Sequence, residues 1–583
     1  MFYIVVMPKR SGTAHVATTR RIYKGKTYET HLLRRTYREG SQVKHETLGN
    51  LSHLPPDLID IIRGSLSGER YVCVEDAFTI ERTLPHGHVE AILGTIRKLG
   101  LDQVMASKGS RERDLVAAMI AHRLISPASK LAATRQWHQT TLAEEMGVSD
   151  ADEDELYRAL DWLLARKDAI EKKLAARHLS AGGSALYDVS SSYYEGRHCP
   201  LARYGHDRDG KTGNPIIVYG VMTDREGHPV AMEVYPGNTA DPATIPGQVQ
   251  KLRDRFGLER VTLVGDRGML TAARIEALKE YPGLGWVSAL RATEIRKLAT
   301  EGTLQLSLFD KKNLAEITSP EFPGERLVAC FNPLLSEERG RKREELLAAT
   351  EKDLGKIANK VRRRTKTPMS ADEIGLGVGR VVNAHKMAKH FDLVIADGSF
   401  RFARKEESIR REALLDGIYV IRTSEPKERR SPEDTVRDYK GLANVERVFR
   451  CMKGIDLLVR PIFHRTEDHV KAHLFLCLLA YYVEWHMRRA LAPLLFEDEE
   501  LAEDRKTRDP ILPAESSASV KRKKATKMTP DGFPVQSFST LLSDLATRCR
   551  NQCRVKSKPD SPAFHELTQR TPFQERAFQL LGL

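Results

Sequence analysis

The sequence predicts an α/β protein whose main body is a mixed sheet with an insertion, preceded by a small basic β-module and a helical bundle. Three observations carry this. Residues 1–50 alternate in short runs broken by Gly-containing turns. From His86 to about Ser180 the apolar residues recur at three and four spacing. At Ser184 the period switches to that of strands, and strand patterns return after a charged interruption that ends near residue 390. At 583 residues the chain exceeds one ordinary core, and length alone suggests roughly three or four folding units.

The N-terminal module, residues 1–85, holds the runs HVATTRRIYKG and THLLRRTYREGSQVKHETLG, with Thr, Arg and Tyr in the outward places. The formal charge of the chain is +14, and residues 1–50 alone hold ten Lys or Arg against three acids, half of that excess. Such a basic segment is the electrostatic footprint of a polyanion, with nucleic acid the first candidate and an anionic membrane surface the second. No membrane partner is expected. The opening MFYIVVM reads as a strand, and the longest apolar run, LFLCLLAYYV at residues 474–483, falls far short of the roughly 20 residues of a span. Seven scattered cysteines, at 73, 199, 330, 451, 477, 549 and 553, make no disulfide framework and fit a reducing cytosol.

Residues 86–180 read as a helical, DNA-binding bundle built from HVEAILGTIRKLG, RERDLVAAMIAHRLI, PASKLAATRQWHQ and a long final helix. Lys130, Arg135 and Gln136 on one short helix would suit a major groove, and a plain scaffolding bundle explains them equally well. Residues 181–298 form the first part of the core. The strands SALYDV, NPIIVYGVMT and PVAMEVYPG can make an antiparallel meander, followed by the strand RVTLVGD, a helix and the strand GWVSALR. Residues 299–390 read as an insertion, with a strand-like RLVACFNP and a long helix ending in KVRRRTK. The core resumes over 391–491 with FDLVIADGSFRFAR, DGIYVIRT and helices at 432–453 and 467–491. Residues 492–583 have linker and tail composition, including DPILPAESSAS and KRKKATK, with order returning near Phe538.

Two acids end strands: Asp188 closes SALYDV and Asp266 closes RVTLVGD. Ligand sites of α/β sheets form at carboxyl ends of strands, although a lone strand-end Asp is more often a turn-former or helix cap. A third acid lies in YKGLANVERVFRCMKG, residues 439–454. There Tyr439, Glu446 and Lys453 stand seven apart and share a helical face flanked by Leu442, Val445, Phe449 and Met452. An isolated helix of this kind is usually a surface helix with charges at the edge of its buried stripe. Three carboxylates converging from two strand ends and one helix would repel one another without a cation. They point to hard Mg²⁺ or Mn²⁺ (magnesium or manganese) rather than zinc. Two such ions about 4 Å apart can activate an attacking oxygen and stabilise a leaving one in phosphodiester chemistry.

Taken together, YDVSSSYYEG, GHPVAMEVYPGNTAD, LVGDRGML and YKGLANVERVFRCMKG resemble a bacterial insertion-sequence transposase of the DDE type. The last stretch is similar to the Y-x2-R-x3-E-x6-K signature of one branch, matching at Tyr439, Glu446 and Lys453 and departing at Leu442, where the branch has arginine. The resemblance implies a ribonuclease-H-like catalytic domain with Asp188, Asp266 and Glu446 as catalytic metal ligands. It implies DNA contacts from Tyr439 and Lys453, with Lys440, Arg447 or Arg450 standing in for the missing arginine. It further implies cleavage at terminal inverted repeats, joining of the 3′-hydroxyls to target DNA, double-stranded DNA as partner, a homodimer in the active complex, and a bacterial cytoplasmic, nucleoid-associated location. A structure-specific nuclease on the same fold and a catalytically inactive DNA-binding descendant remain as alternatives.

Other patterns compete for attention. His469, His473 and Cys477 follow one helical face at zinc-compatible spacing but lack a second ligand pair. CRNQC, residues 549–553, reads as a solvated helix more readily than a metal or redox motif. Trp286 and Tyr419 could stack on a base, or simply pack in the core. His206, Arg208, Asn238 and Asp241 lie near the expected sheet end. KVRRRTK and KRKKATK suit phosphate contacts or solvated faces. No G-x-x-x-x-G-K-[ST] phosphate loop is present.

Overall fold

The computed structural model describes residues 12–69, 71, 77–310, 312–556 and 560–583, apart from the side chain of Ala502. The opening MFYIVVM and Cys73 lie outside the described residues. The chain divides into two compact units, Met1–Thr83 with Arg550–Thr568, and Leu84–Cys549 with Gln569–Leu583.

In the first unit, β1 (Thr13–Tyr23), β2 (Lys26–Glu39) and β3 (Gln42–Asn50) form an antiparallel sheet followed by α1 (Pro56–Leu66). The β1–β2 turn places Lys24 at φ 48° and Gly25 at φ 75°, the left-handed pair that matches the twist of a tight hairpin. A second small sheet joins β4 (Phe78–Pro85) to the strands Cys549–Val555 and Phe564–Leu567. CRNQC is therefore a strand, not a solvated helix. Its Cys553 is buried, and Gln552 and Arg554 reach Glu81 across the pair.

The helical part of the second unit contains α2 (Gly87–Lys98), α3 (Arg111–Ile125) and α4 (Glu153–His178). Ser110 and Asp152 cap α3 and α4 by accepting from the N–H groups of Arg113 and Glu155. The short helix Lys130–Gln136 buries Lys130, whose ammonium is pushed down to about 7 by desolvation and by Arg123. A lysine so enclosed is not displayed to a DNA groove, which removes one side of the helix-turn-helix reading.

The eight-stranded sheet is built from β5 (Ser184–Tyr193), β6 (Ile216–Thr223), β7 (Pro229–Pro236), β8 (Val261–Val264), β9 (Leu284–Ala289), β10 (Leu314–Ile317), β11 (Arg326–Phe331) and a returning strand Ile418–Thr423. The meander β5–β6–β7 is antiparallel, β8 runs parallel to β5, and β9 runs parallel to β8 across the helix α5 (Ala272–Leu278). This is the large mixed sheet that the sequence predicts, an antiparallel meander continued by parallel strands. The strand Ile418–Thr423 pairs antiparallel with β9, and β11 and β10 continue beyond it. RLVACFNP thus belongs to the sheet rather than to the insertion.

The excursion from the sheet begins after Phe331, which pairs with Ile418, and Asn332 N donates to Gly417 O at 2.9 Å. Between them lie α6 (Pro333–Arg363), α7 (Ala371–His385) and the hairpin β12 (Phe391–Ala396) and β13 (Ser399–Arg404). Leu347, Leu354, Ile374, Val378, Phe391 and Phe400 give this excursion its own core. FDLVIADGSFRFAR therefore does not resume the main sheet. Alternation marks a strand but not its partner, and here the Asp-Gly turn folds the stretch back on itself. The sheet resumes at β14, the strand Ile418–Thr423 named above.

The 432–453 stretch is two helices, α8 (Pro432–Lys440) and α9 (Leu442–Lys453), meeting at Gly441. After them α10 (Glu467–Leu491) runs through the bundle with most of its residues buried, the run at 474–483 included. Among the described residues no helix is long and apolar enough to cross a membrane. Beyond α10, the stretch of linker composition is tied down. Lys523 in KRKKATK is fully buried and donates to Ala492 O, Leu495 O and Glu497 O, with Glu499 as its counter-ion. Burying a lysine requires such saturation of its three N–H groups. The helix Phe538–Ala546 follows, where order was expected.

Candidate active site

Strand alternation decides which side chains face α9. Leu186 of β5 and Val264 of β8 share a core with Val445, Val448, Phe449 and Met452 of α9, while Ala185, Tyr187 and Leu263 pack on the opposite face. Asp188 and Asp266 have the parity of Leu186 and Val264 and so belong to the face that α9 covers. The parallel register pairs Ser184 with Thr262 and Leu186 with Val264, an offset of 78. The same offset, carried two residues on, sets Asp188 level with Asp266.

The acids act on one another electrostatically. Burial pushes the Asp188 carboxyl up to about 7; the Val189 N–H and Arg208 oppose the rise, and Asp266 and Glu446 add to it. The Val189 N–H donates to Asp188 Oδ1 at 2.8 Å. Tyr439 Oη donates to Asp266 Oδ1 at 3.2 Å, and its phenol is raised by burial, then by Asp266, with Asp188 contributing as well. Glu446 projects from α9 as an exposed residue. The oxygens of the three acids are spread more widely than the 4.8 Å that bounds two other clusters, His178–Asp224–His228 and Cys451–Asp456–Glu484.

Gly441 lets α9 approach the sheet this closely. A Cβ there would lie 2.8 Å from Leu186 Cδ2 and 2.9 Å from Asp438 O. Tyr439 therefore reaches Asp266 from the end of α8, not from the helix that carries Glu446 and Lys453.

Lys453 Nζ donates to Ser190 Oγ at 2.7 Å and to Asp209 Oδ1 at 2.9 Å. Asp209 also pairs with Arg460 at 2.6 Å and accepts from Tyr193 N. Burial lowers the Lys453 ammonium, and Asp209 opposes that. Lys440 is turned elsewhere: its Nζ donates to Ile511 O at 2.8 Å and lies over the Tyr419 ring. Arg447 and Arg450 line a cavity of about 380 Å³ with Arg488, Arg489, Arg505 and Trp485. Leu442 is half-buried against the main core. Arg208 pairs with Asp241, and its N–H donates to Ser191 Oγ; His206 and Asn238 are exposed nearby.

A family model described as the transposase DDE domain matches residues 190–483, just over half of the chain. The chain belongs to this family. The N-terminal domain of IS1634 family transposases matches residues 16–69. Among solved structures the chain is similar to a piggyBac transposase in a cryo-EM synaptic complex with hairpin DNA, at 12% identity, over 76% of this chain and 88% of that chain, with a TM-score of 0.25. No curated protein sequence matches it.

As a DDE transposase the protein is an enzyme of the DNA-transposition class, and its family match contains Asp266, Tyr439, Glu446 and Lys453 while beginning two residues after Asp188. Asp209, Ser190 and Arg460 were not singled out in the sequence. The acid sits in the polar loop RYGHDRDGKTG, and only its burial against Lys453 distinguishes it from Asp207. Trp286 is buried in β9 among core residues, and Tyr419 is half-buried beside Lys440, so neither is displayed for stacking on a base. His469 pairs with Asp161, while His473 faces Val459 O and Cys477. These three do not form a ligand cluster among the described residues.

Proposed function

We propose that this DDE transposase binds the terminal inverted repeats of an insertion sequence, cleaves the ends, and joins their 3′-hydroxyls to double-stranded target DNA, acting as a homodimer in the active complex. What supports this reading is the parallel register that sets Asp188 level with Asp266, together with the rise of Asp188 to about 7, caused by burial and added to by Asp266 and Glu446. An all-carboxylate donor set with excess negative charge fits Mg²⁺ or Mn²⁺. In this reading Asp188, Asp266 and Glu446 hold two such ions. When bound, they supply activation of the attacking oxygen and stabilisation of the leaving one.

The chain's own residues then have defined tasks. Asp188 gives up its proton to become a ligand, and the Val189 N–H already favours its charged form. Tyr439 orients Asp266 through its hydroxyl. Lys453, two turns of α9 beyond Glu446, meets DNA phosphate from its seat on Asp209. Arg447 and Arg450, between Glu446 and Lys453 in sequence, hold phosphate at the cavity they line, whereas the anchored Lys440 supports the fold. The basic N-terminal unit adds affinity for the DNA backbone.

The test is end-bearing DNA in Mg²⁺ with Asp188→Ala, Asp266→Ala and Glu446→Ala. Each is expected to lose cleavage and strand transfer by at least about 10³-fold. Full activity in any of the three overturns the assignment. A pre-cut 3′-hydroxyl end is expected to be joined to target; cleavage without joining would instead identify a nuclease on this fold.

A further inference from the structure

Next to α9, whose Asn444 bonds to it, the β6–β7 turn carries a second ligand cluster. His178 at the end of α4, Asp224 and His228 each offer one donor atom, all within 4.8 Å of one another. The His178 and His228 rings stack with centroids 4.2 Å apart at 18°. His486 of α10 lies beside them, its ring centroid 5.3 Å from that of His228, and its Nε2 is buried without a hydrogen-bond partner.

We propose that His178, Asp224, His228 and His486 form a structural site for a borderline transition-metal cation such as Zn²⁺, distinct from the carboxylate site. The donor set, three imidazoles and one carboxylate, is that of zinc rather than magnesium. Asp224 is pre-oriented: its Oδ1 accepts from Gly227 N and His228 N, each at 2.8 Å, leaving Oδ2 toward His228 Nδ1 at 2.7 Å. A cation bound at Nδ1 would replace this hydrogen bond, with the neutral His228 ring then carrying its single proton on Nε2. His178 is fixed in turn by Tyr482 at 2.9 Å.

The position gives the site a consequence. Asn444 of α9 donates to Arg225 O in the same turn at 2.9 Å, and Trp485 of α10 covers His228 with centroids 3.9 Å apart. A cation here ties the end of α4 and the face of α10 to the turn on which the Glu446 helix rests.

The experiment uses metal-stripped full-length protein carrying Asp266→Asn and Glu446→Gln, so that the carboxylate site is disabled. Equilibrium dialysis against Zn²⁺ alone is expected to give one ion per chain at about micromolar free metal, with Co²⁺ giving tetrahedral d–d absorption. Adding Asp224→Asn is expected to weaken binding by about 10–100-fold, and adding His178→Gln with His228→Gln to abolish it, with circular dichroism confirming a folded chain. Absence of stoichiometric binding overturns the proposal. So does Zn²⁺ binding that survives the double histidine replacement, or an octahedral Co²⁺ spectrum.

Discussion

Lys453 and Asp209 form an ion pair at 2.9 Å in which the acid's side chain is 1% exposed and the lysine's 11%. Asp209 also holds Arg460, so one enclosed carboxylate sets two cations beside the strand that carries Asp188.

Replacing Asp209 by Asn leaves the enclosed Lys453 and the partly exposed Arg460 without their counter-charge. The variant is expected to lose about 3 kcal/mol of stability, measured by urea denaturation, and Lys453→Met in the same background is expected to restore part of the loss. A loss below about 0.5 kcal/mol would show that Asp209 does not organise this corner.

The Asp188 carboxyl is raised in the fold, to about 7 from an ordinary 3.8. Between those values the folded protein binds more protons than the unfolded chain, so this group's stabilising contribution is full below pH 4 and fades as pH climbs to 7. In EDTA, Asp188→Asn is expected to remove that slope and raise stability at pH 8 by no more than about 4 kcal/mol. Denaturation curves at pH 5 and 8 check it. In the unaltered protein, affinity for Mg²⁺ rises with pH until Asp188 is ionised.

Gly441 separates α8 from α9 where the chain crosses Leu186. Gly441→Ala puts a methyl 2.8 Å from Leu186 Cδ2, and the expected cost is about 1–3 kcal/mol. Because the displaced element carries Glu446, cleavage of end DNA is expected to fall by more than tenfold at temperatures where the variant remains folded. Loss of stability without loss of turnover would show that Glu446 is not placed by this contact.

Leu442 is half-buried in the core cluster that docks α9. Leu442→Arg, which restores the residue of the resembled signature, is expected to destabilise by about 1–2 kcal/mol and to leave affinity for end DNA unchanged at fixed salt. A tenfold gain in affinity would show that the position faces DNA after all.

The sequence made the sheet and its acids legible because each signal is local. Strand patterns locate both aspartates and helical spacing groups Glu446 with Lys453, although β5 runs on to Tyr193, so that Asp188 lies within its strand and only Asp266 stands past the end of one. The pairing of strands was not legible in the same way. RLVACFNP and FDLVIADGSFRFAR look alike in periodicity, yet one joins the large sheet and the other pairs within itself, since partner choice depends on contacts distant in sequence. Burial of charge was equally hidden: Lys130 reads as a residue of a groove-binding or scaffolding helix and Lys523 as part of a solvated or phosphate-binding run, and only tertiary packing encloses them. Asp209 became identifiable only through Lys453, 244 positions away.

The neck at Phe331 and Ile418 has a wider meaning. The excursion leaves and re-enters through paired neighbours, so residues 332–417 close a loop whose ends already touch. Such a segment can lengthen, shorten or be exchanged for another fold without shifting the register of the strands that bear the acids, because closure cost grows only slowly with loop length. The arrangement makes the excursion an interchangeable cassette, replaceable without moving the strands beside it.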